Sequence, residues 1–436
     1  MPHMNLALPM SVDIDRNLLI VYPHWPPSNL VGGYRARLIA NQAKNLGWKV
    51  TVLTVHEKHY EDPLDQDLEL LVDESIDVIK VGSYPVLSIF GYRLLGDIGI
   101  RAYFHLRKAM LDILANHGHS FVWIPIPSWY TSMLGNVALR NRGIPFGIDY
   151  IDPWVYKLSK EEGLLTKGWL TRQLALILEP MAIKRASLVS GVSREYYLPA
   201  LMRTFGAIEN HPLDVAMPYG FDLNDHATEP SSYQPPWKGT DLYLLYAGAF
   251  LPQSEYFMSV AFEVVRQLED RSIWPAKLKL RFVGTGVRAG RSIRELATAA
   301  GINHLVEEYP ERIPFLQVQK ALRESFATMV IGSTEKHYTA SKTFQCILSR
   351  KPVFSVLHAE STAASFLNES AADNFLVRWD ESLDDQEFVS QMTSAFVQLI
   401  DSGIDNWNPN LQSLERHSAK QSARQLFQKI EEIILK

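Results

Sequence analysis

Apolar runs alternate with helical patterns near the amino terminus of this chain, and this alternation limits the folds that it can adopt. Residues 17–23 form an uninterrupted apolar run, a loop rich in Pro and Gly follows, a helical pattern covers 34–46, and a second apolar run covers 49–54. Strand, loop, helix and strand within about 40 residues match a βαβ unit, whose crossover is right-handed. A parallel strand is buried on both faces, and its sequence is therefore continuously apolar. The pattern predicts a parallel sheet flanked by helices.

The same alternation continues along the chain and then restarts. Further candidate strands lie at 76–81, 121–126, 146–151 and 187–192. A second series begins at Leu242, with strands at 242–248, 278–283, 326–331 and 352–356 and helices at 255–268 and 292–300. The chain is therefore expected to be an α/β protein with two doubly wound, Rossmann-like domains. The carboxyl ends of their strands should face a cleft between them.

The domain boundaries follow from changes in composition. We expect a flexible lead-in over 1–16, a first domain over 17–224, a second domain over 241–409 and a tail over 410–436. Residues 225–240 are rich in Pro, Ser, Asp and Lys and are interpreted as a linker. The tail has apolar residues at helical spacing, and we expect it to form a helix that packs back on the first domain.

Composition excludes several classes of protein. The 436 residues include 43 Lys and Arg against 48 Asp and Glu, a net charge of −5, so no global basic field is available for nucleic acid. The single cysteine, Cys346, cannot close an intrachain disulfide, which fits a reducing compartment. No apolar run reaches the roughly 20 residues of a membrane-spanning helix. The first 15 residues lack the basic start of an export signal. A cytoplasmic location is predicted.

Two glycine-containing loops follow candidate strands. Gly32 and Gly33 stand between the first strand and its helix, where glycine allows close approach of a ligand and the helix amino terminus favours an anion such as phosphate. The alternative is that the pair only permits a tight turn. Residues 283–291 (VGTGVRAGR) form the second loop, in which Gly286, Arg288 and Arg291 lie at a sheet edge. Arginine there suits a diphosphate, although a solvated loop explains the sequence equally well.

Several short motifs occur in an order that resembles the family 4 glycosyltransferases of GT-B fold. The first is the Pro-Pro and Gly-Gly loop with its arginine, followed by LGWKVTVLT at 46–54. The others are ASLVSGVS at 186–193, MPYGFD at 217–222, YAG at 246–248, FVGTG at 282–286 and RKPV at 350–353. The resemblance extends over residues 17–360.

This resemblance implies a function. Members transfer a sugar from a nucleotide-sugar donor, held by the C-terminal domain, to an acceptor held by the N-terminal domain, and they retain the anomeric configuration. A UDP- or GDP-sugar is the expected co-substrate, and no bound metal or other cofactor is expected because helix ends and basic side chains neutralise the diphosphate. A saccharide or a lipid-linked acceptor in surface polysaccharide biosynthesis is the expected partner.

The donor side departs from the family pattern. Two glutamates are expected before the Arg-Lys-Pro-Val segment, and the chain has His337 and Gln345 in their places, with Glu335 two residues out of register. Gln345 can still bond a ribose hydroxyl, but more weakly than a carboxylate. The usual basic residues after Gly248 are also missing. Lys342, within an Ala-Ser-Lys segment that includes Ser341, is the candidate that replaces their charge; the alternative is a solvated lysine.

His337 is expected to contact the transferred sugar, and together with Lys342 and Asp152 it completes the predicted catalytic set. Donor binding is assigned to Gly32, Gly33, Gly248, Gly286, Arg288, Ser341, Lys342 and Gln345.

The acceptor side is predicted from the loop after 146–151. Asp149, Asp152 and Trp154 are there and are assigned to acceptor binding, and Asp152 is the candidate that orients the acceptor hydroxyl or accepts its proton. An aspartate before proline is also a common turn. Trp25 and Trp154 follow strands and could stack on sugar faces, although single aromatic residues more often complete a core.

Three further hypotheses remain. His117 with His119, and His56 with His59, lack a third ligand in a convincing pattern, so no metal site is predicted. Residues 164–186 and 86–114 are amphipathic and carry basic residues; they are typical of contact with an anionic membrane, or of helices that cover a sheet. A sugar-nucleotide epimerase or hydrolase, or a catalytically silent binding protein, are the alternatives to transfer.

Overall fold

The computed structural model describes residues 15–89, 92–156, 163, 166–206, 211–239, 241–287, 290–334, 336 and 342–436. Their contacts divide the chain into two compact units. The first unit contains the residues up to Leu64, then Val72–Gly220 and Ala419–Lys436. The second unit contains Asp65–Leu71 and Phe221–Ser418.

The first unit is built on a seven-stranded sheet in the order β3-β2-β1-β6-β7-β8-β9, and every neighbouring pair in it is parallel. Its strands are β1 (Asn17–Val21), β2 (Lys49–Val55), β3 (Asp77–Val81), β6 (Phe121–Ile126), β7 (Phe146–Tyr150), β8 (Leu188–Gly191) and β9 (Leu213–Ala216). A separate antiparallel pair consists of β4 (Leu87–Ile89) and β5 (Tyr92–Leu95).

The helices of this unit cover both faces of its sheet. They are α1 (Val31–Gln42), α2 (Ile98–Arg101), α3 (Tyr103–Asn116), α4 (Met133–Arg142), α5 (Lys167–Ile183), α6 (Arg194–Phe205) and α14 (Ala419–Ile434). The tail helix α14 packs against α1 and closes one of the two cores of the unit, with the rings of Trp48 and Phe427 4.9 Å apart.

The second unit repeats the architecture with a six-stranded parallel sheet in the order β12-β11-β10-β13-β14-β15. Its strands are β10 (Leu242–Ala247), β11 (Leu278–Val283), β12 (Val306–Tyr309), β13 (Ala327–Ile331), β14 (Val353–His358) and β15 (Phe375–Trp379). Its helices are α7 (Leu223–Ala227), α8 (Glu255–Asp270), α9 (Ile293–Ala300), α10 (Phe315–Glu324), α11 (Lys342–Leu348), α12 (Thr362–Glu369) and α13 (Asp385–Ser402).

The predicted fold class, two Rossmann-like α/β domains in series, is confirmed. Strand order explains why: the continuous apolar runs became central strands such as β1 and β10, which have neighbours on both sides. Residues 225–240, interpreted as a linker, lie in the second unit, and their first residues belong to α7. Among the helices that the structure describes, none combines the length and apolar character of a membrane-spanning segment.

Candidate functional site

In the second unit, two neighbouring central strands end beside each other in glycine. Ala247 at the end of β10 is in register with Val283 at the end of β11, and Gly248 and Gly284 follow them. Their φ angles are +131° and +70°, and that of Gly286 is +72°. L-residues with a side chain rarely adopt such angles, so this sequence can turn here only because it has glycine. The turns redirect both chains at the carboxyl edge of the sheet.

The amides of these glycines are engaged within the protein. Gly248 N–H donates to the Val283 carbonyl at 2.8 Å, and Gly286 N–H donates to the Pro310 carbonyl at 3.0 Å. Gly284 N–H donates to the carbonyl of Tyr309, at the end of β12, at 2.8 Å. The glycines are therefore required for backbone conformation, and in this arrangement their own N–H groups do not supply donors to a phosphate.

The glycine loop borders a cavity of about 210 Å³. Its lining residues are Phe250, Pro252, Thr285, Gly286, Val287, Gly290, Arg291, Ser292, Glu295, Glu308 and Pro310. Glu308 accepts from the Thr285 hydroxyl at 2.8 Å and from the Arg294 N–H at 3.0 Å. Arg291 is paired with Glu255 at 2.7 Å. A lining with carboxylate oxygens suits hydroxyl or N–H groups of a ligand and disfavours a phosphate.

Lys342 brings a positive charge to Gly248. The lysine begins α11, and its buried ammonium nitrogen lies 3.8 Å from the ring centroid of Tyr246. A Cβ atom built on Gly248 would be 3.5 Å from the same nitrogen. The Tyr246 hydroxyl donates to the Ala249 carbonyl at 2.9 Å and so ties down the loop after β10. Gln345 lies one turn after Lys342 on α11 and is partly exposed.

The structure describes some of the predicted donor residues and leaves others outside the described part of the chain. Gly248 and Lys342 are adjacent, and Gly286 lines the cavity. Arg288, His337 and Ser341 lie outside the described residues, as does Glu335. Sequence reasoning missed Tyr246, although it directly precedes the Ala-Gly pair of a quoted motif.

The glycine pair of the first unit is arranged differently. Gly32 and Gly33 lie inside α1, and a Cβ atom on Gly32 would overlap the Tyr22 hydroxyl. A Cβ atom on Gly33 would lie 3.3 Å from the His24 carbonyl oxygen. Tyr22 is buried, and this burial, followed by the charges of Tyr219 and Asp152, raises its pKa above the ordinary value. The first turn of α1 is therefore covered by a tyrosine ring, and the role of the pair in donor binding remains a prediction.

One turn further along α1, Arg35 forms a fully buried ion pair. Its Nε and Nη2 atoms donate to the two carboxylate oxygens of Asp149 at 2.6 and 3.0 Å. The Asp149 carboxylate also accepts from the Ser190 hydroxyl at 2.7 Å, and Arg35 donates to the Pro218 carbonyl at 2.9 Å. This network links α1, β7, β8 and the segment after β9. Both carboxylate oxygens of Asp149 are used inside the protein, and the residue lies away from solvent.

Asp152 differs from Asp149 because it reaches solvent. Desolvation by the surrounding protein raises the pKa of its carboxyl above the usual value. Its charge contributes, after burial, to the raised pKa values of Tyr22 and Tyr196, and it acts in the same direction on Tyr219. A carboxylate among tyrosine hydroxyls at the carboxyl end of a sheet can accept a hydrogen bond or a proton from a bound hydroxyl group.

The aromatic and histidine residues of this region are largely internal. Trp25 and Trp154 are 2% and 3% exposed and belong to the cores of the first unit. Their acceptor role stays a prediction, and their burial favours the alternative that they complete the core. His24, which the sequence reasoning missed, has a buried Nδ1 atom without a hydrogen-bond partner among the described residues. Burial lowers the pKa of His24 to about 4.

Within the described part of the chain, no group of three or more His, Cys, Asp or Glu side chains is placed to hold a metal ion. The two histidine pairs that the sequence offered therefore gain no third ligand among these residues.

Comparisons with known proteins agree with this architecture. Trehalose-6-phosphate synthase OtsA superposes with a TM-score of 0.58 at 12% identity, over 95% of this chain and 99% of that chain. Anabaena HepE, solved in complex with UDP-glucose, gives 0.56 at 14% identity, over 95% and 99%. A putative UDP-N-acetylglucosamine 2-epimerase from Listeria monocytogenes gives 0.50 at 14% identity, over 97% of each chain.

These likenesses define the fold, which is GT-B. The fold is shared with a trehalose-6-phosphate synthase, with a protein solved in complex with UDP-glucose and with a putative UDP-N-acetylglucosamine 2-epimerase. At identities of 12–14% the likeness extends to the fold alone. No family model matches the sequence, and no curated protein matches it either.

Proposed function

We propose that this protein is a glycosyltransferase that binds a nucleotide sugar through its second unit and transfers the sugar to a saccharide or lipid-linked acceptor bound by its first unit. The observation that carries the proposal is the position of Lys342 beside Gly248, at the carboxyl end of the central strand of a GT-B sheet. Ligands of open α/β sheets bind at this end of the strands. The family 4 resemblance adds retention of configuration and a role in polysaccharide biosynthesis.

The charges of the second unit indicate which part of the donor each region of this unit would bind. Lys342 has its ammonium group over the Tyr246 ring, whose face attracts a cation. The diphosphate is proposed to lie beside this lysine. The cavity next to the glycine loop has Glu295 and Glu308 in its lining and is proposed to take the hydroxyl- and N–H-bearing nucleoside. Gln345 would then bond a ribose hydroxyl, and Arg288 would add a second cation beside the diphosphate.

On the acceptor side, Asp152 is proposed to hydrogen-bond the attacking hydroxyl. Its raised pKa, caused by desolvation, makes it a better proton acceptor than an ordinary aspartate. Departure of the nucleoside diphosphate would build negative charge beside Lys342, and an ammonium already in place stabilises such charge most effectively.

Binding of UDP, UDP-glucose and GDP-mannose to the wild type and to Lys342→Met, measured by calorimetry, tests the donor proposal. Loss of the ammonium should weaken binding of the preferred nucleotide at least tenfold. Lys336→Met is the matched control, because Lys336 is an exposed lysine paired with Glu360 at 2.9 Å. The proposal is wrong if the wild type binds none of these nucleotides or if the two variants bind equally well.

The fold also occurs in an epimerase of a UDP-sugar, and this observation supports one second candidate function. An epimerase or hydrolase would convert the donor without any acceptor, whereas a transferase requires one for efficient turnover. Proton NMR of the preferred nucleotide sugar, incubated with enzyme alone and then with an acceptor mixture, separates the two. Nucleotide binding without turnover in either mixture would identify a catalytically silent binding protein, which the replacements His337 and Gln345 make credible.

A further inference from the structure

Helix α5 (Lys167–Ile183) is apolar on two opposite faces. Its buried residues are Ala175, Glu179, Ala182 and Ile183, which point into the first unit. Its large exposed hydrophobic residues are Leu170, Leu174, Ile177 and Met181, with exposed fractions of 53%, 43%, 62% and 53%. A single exposed leucine is normal on a protein surface, but a row of four on one helix is a feature that marks an interaction site.

The spacing of the exposed residues makes them one continuous stripe. Successive gaps of four, three and four residues keep all four within a sector of about 60° when each residue advances about 100° around the helix. The buried positions are centred roughly opposite this sector by the same arithmetic. The inner face is fully occupied, because Glu179 bonds Arg203 at 2.5 Å and Tyr150 at 3.2 Å. We call Leu170, Leu174, Ile177 and Met181 the α5 stripe.

The charged residues of α5 and of the two positions after it are almost all positive. Exposed Lys167 stands at its amino end, and exposed Lys184 and Arg185 stand at its carboxyl end. Between 167 and 185 the only acidic residue is Glu179, which is buried and paired. This local excess of cations contrasts with the net charge of −5 of the whole chain.

This charge pattern favours an anionic lipid surface over a second copy of the chain as the partner of the α5 stripe. If two copies of the chain paired through α5, the basic ends would meet basic ends in either helix orientation, and like charges would oppose association. An anionic lipid surface offers apolar depth for the stripe and negative headgroups for its basic ends. We propose that α5 lies flat on an anionic membrane, with the α5 stripe inserted at the level of the headgroups. A helix of 17 residues is about 25 Å long, which suits a surface position.

The proposal does not depend on the proposed transferase activity, and it is tested with the full chain. Co-sedimentation with vesicles of phosphatidylglycerol and phosphatidylcholine in equal parts should show binding, and vesicles of phosphatidylcholine alone should show much less. The double variant Leu174→Ser/Ile177→Ser should lower the partition coefficient at least tenfold. Lys184→Gln/Arg185→Gln should lower binding and flatten its dependence on salt, because electrostatic attraction to lipid is screened by ions.

The matched control is Leu223→Ser/Ile404→Ser, which removes two equally exposed hydrophobic residues of the second unit and should leave vesicle binding unchanged. Far-UV circular dichroism verifies that every variant is folded. Three results would overturn the proposal: no binding of the wild type to anionic vesicles, equal loss in the control, or a wild-type dimer in sedimentation velocity that the stripe variant converts to monomer.

Discussion

The glycines and cations at the carboxyl ends of the two sheets are used in opposite ways. In the first unit, Gly32 lies inside a helix beneath a tyrosine hydroxyl, and Arg35 is paired with a carboxylate where neither side chain reaches solvent. In the second unit, Gly248 has a φ of +131° and Lys342 lies over an aromatic ring. A strand followed by glycine and a basic residue therefore does not by itself mark an anion site.

What separates the two regions is the partner of the cation. The buried Arg35 guanidinium has a bidentate carboxylate as its partner, and this pair holds the fold, whereas the Lys342 ammonium lies against the face of an aromatic ring.

Arg35→Met should produce the largest loss of stability. It would leave the Asp149 carboxylate buried without its cation, which costs about 3–5 kcal/mol. Urea unfolding followed by circular dichroism measures the change. Arg291→Met is the control, since the Arg291–Glu255 pair is partly exposed and such pairs contribute about 0–1 kcal/mol. Equal losses in the two variants would contradict a structural role specific to Arg35.

Gly248→Ala should affect both stability and nucleotide binding. An alanine at φ +131° is strained, at a cost of about 1–3 kcal/mol, and its methyl group would lie against Lys342. Gly143→Ala provides a glycine of positive φ in the first unit with open space around it. Both variants should unfold at a lower temperature than the wild type, whereas calorimetry should show weaker nucleotide binding only for Gly248→Ala. Unchanged nucleotide binding by Gly248→Ala would contradict a role of Gly248 in the donor site.

The glycine pair of α1 should respond unequally. Gly32→Ala forces the buried Tyr22 hydroxyl to move, an overpacking cost of about 1–3 kcal/mol. Gly33→Ala meets only a carbonyl oxygen at 3.3 Å, and the higher helix propensity of alanine offsets that contact by about 1 kcal/mol. Urea midpoints of the two single variants measure the difference. If they were the same, Tyr22 would not be the reason for glycine at position 32.

The effect of His119 should be confined to acidic solution. His119 is 4% exposed, and burial lowers its pKa to about 4, so the folded state keeps it neutral. The unfolded state takes up this proton near pH 6.5, and stability is therefore complete above that pH and falls toward pH 4, by up to about 1.4 kcal/mol per pH unit. His119→Leu should flatten the change in urea midpoint between neutral and mildly acidic solution. His117→Gln, at an exposed position, should not.

The fold could be predicted because central parallel strands are continuously apolar. The apolar runs at 121–126 and 278–283 coincide with β6 and β11. The edge strands β9 (LDVA) and β12 (VEEY) were missed, because an edge strand is partly solvated and carries charged residues that hide the pattern. Patterns of hydrophobicity report burial, and only the centre of each sheet is buried on both faces.

The site was predictable only in part. Gly248 and Lys342 each followed from a motif, but the ring of Tyr246 beneath Lys342 joins residues almost 100 positions apart, and no local pattern encodes that contact. Asp149 and Asp152 look equivalent in sequence because they are only three residues apart. Asp149 is internal because it lies in the buried strand β7 and pairs with the distant Arg35, whereas Asp152 lies in the bend after β7 and reaches solvent.

The surroundings of the single cysteine lower the reactivity of its thiol. Cys346 is buried, and burial raises the pKa of its thiol to about 11, so little thiolate is present at neutral pH to react with an alkylating reagent. The wild-type chain is consequently close to a cysteine-free background. One cysteine introduced at an exposed position, such as Val287 beside the glycine loop, would accept a fluorophore selectively and report nucleotide binding without further mutation.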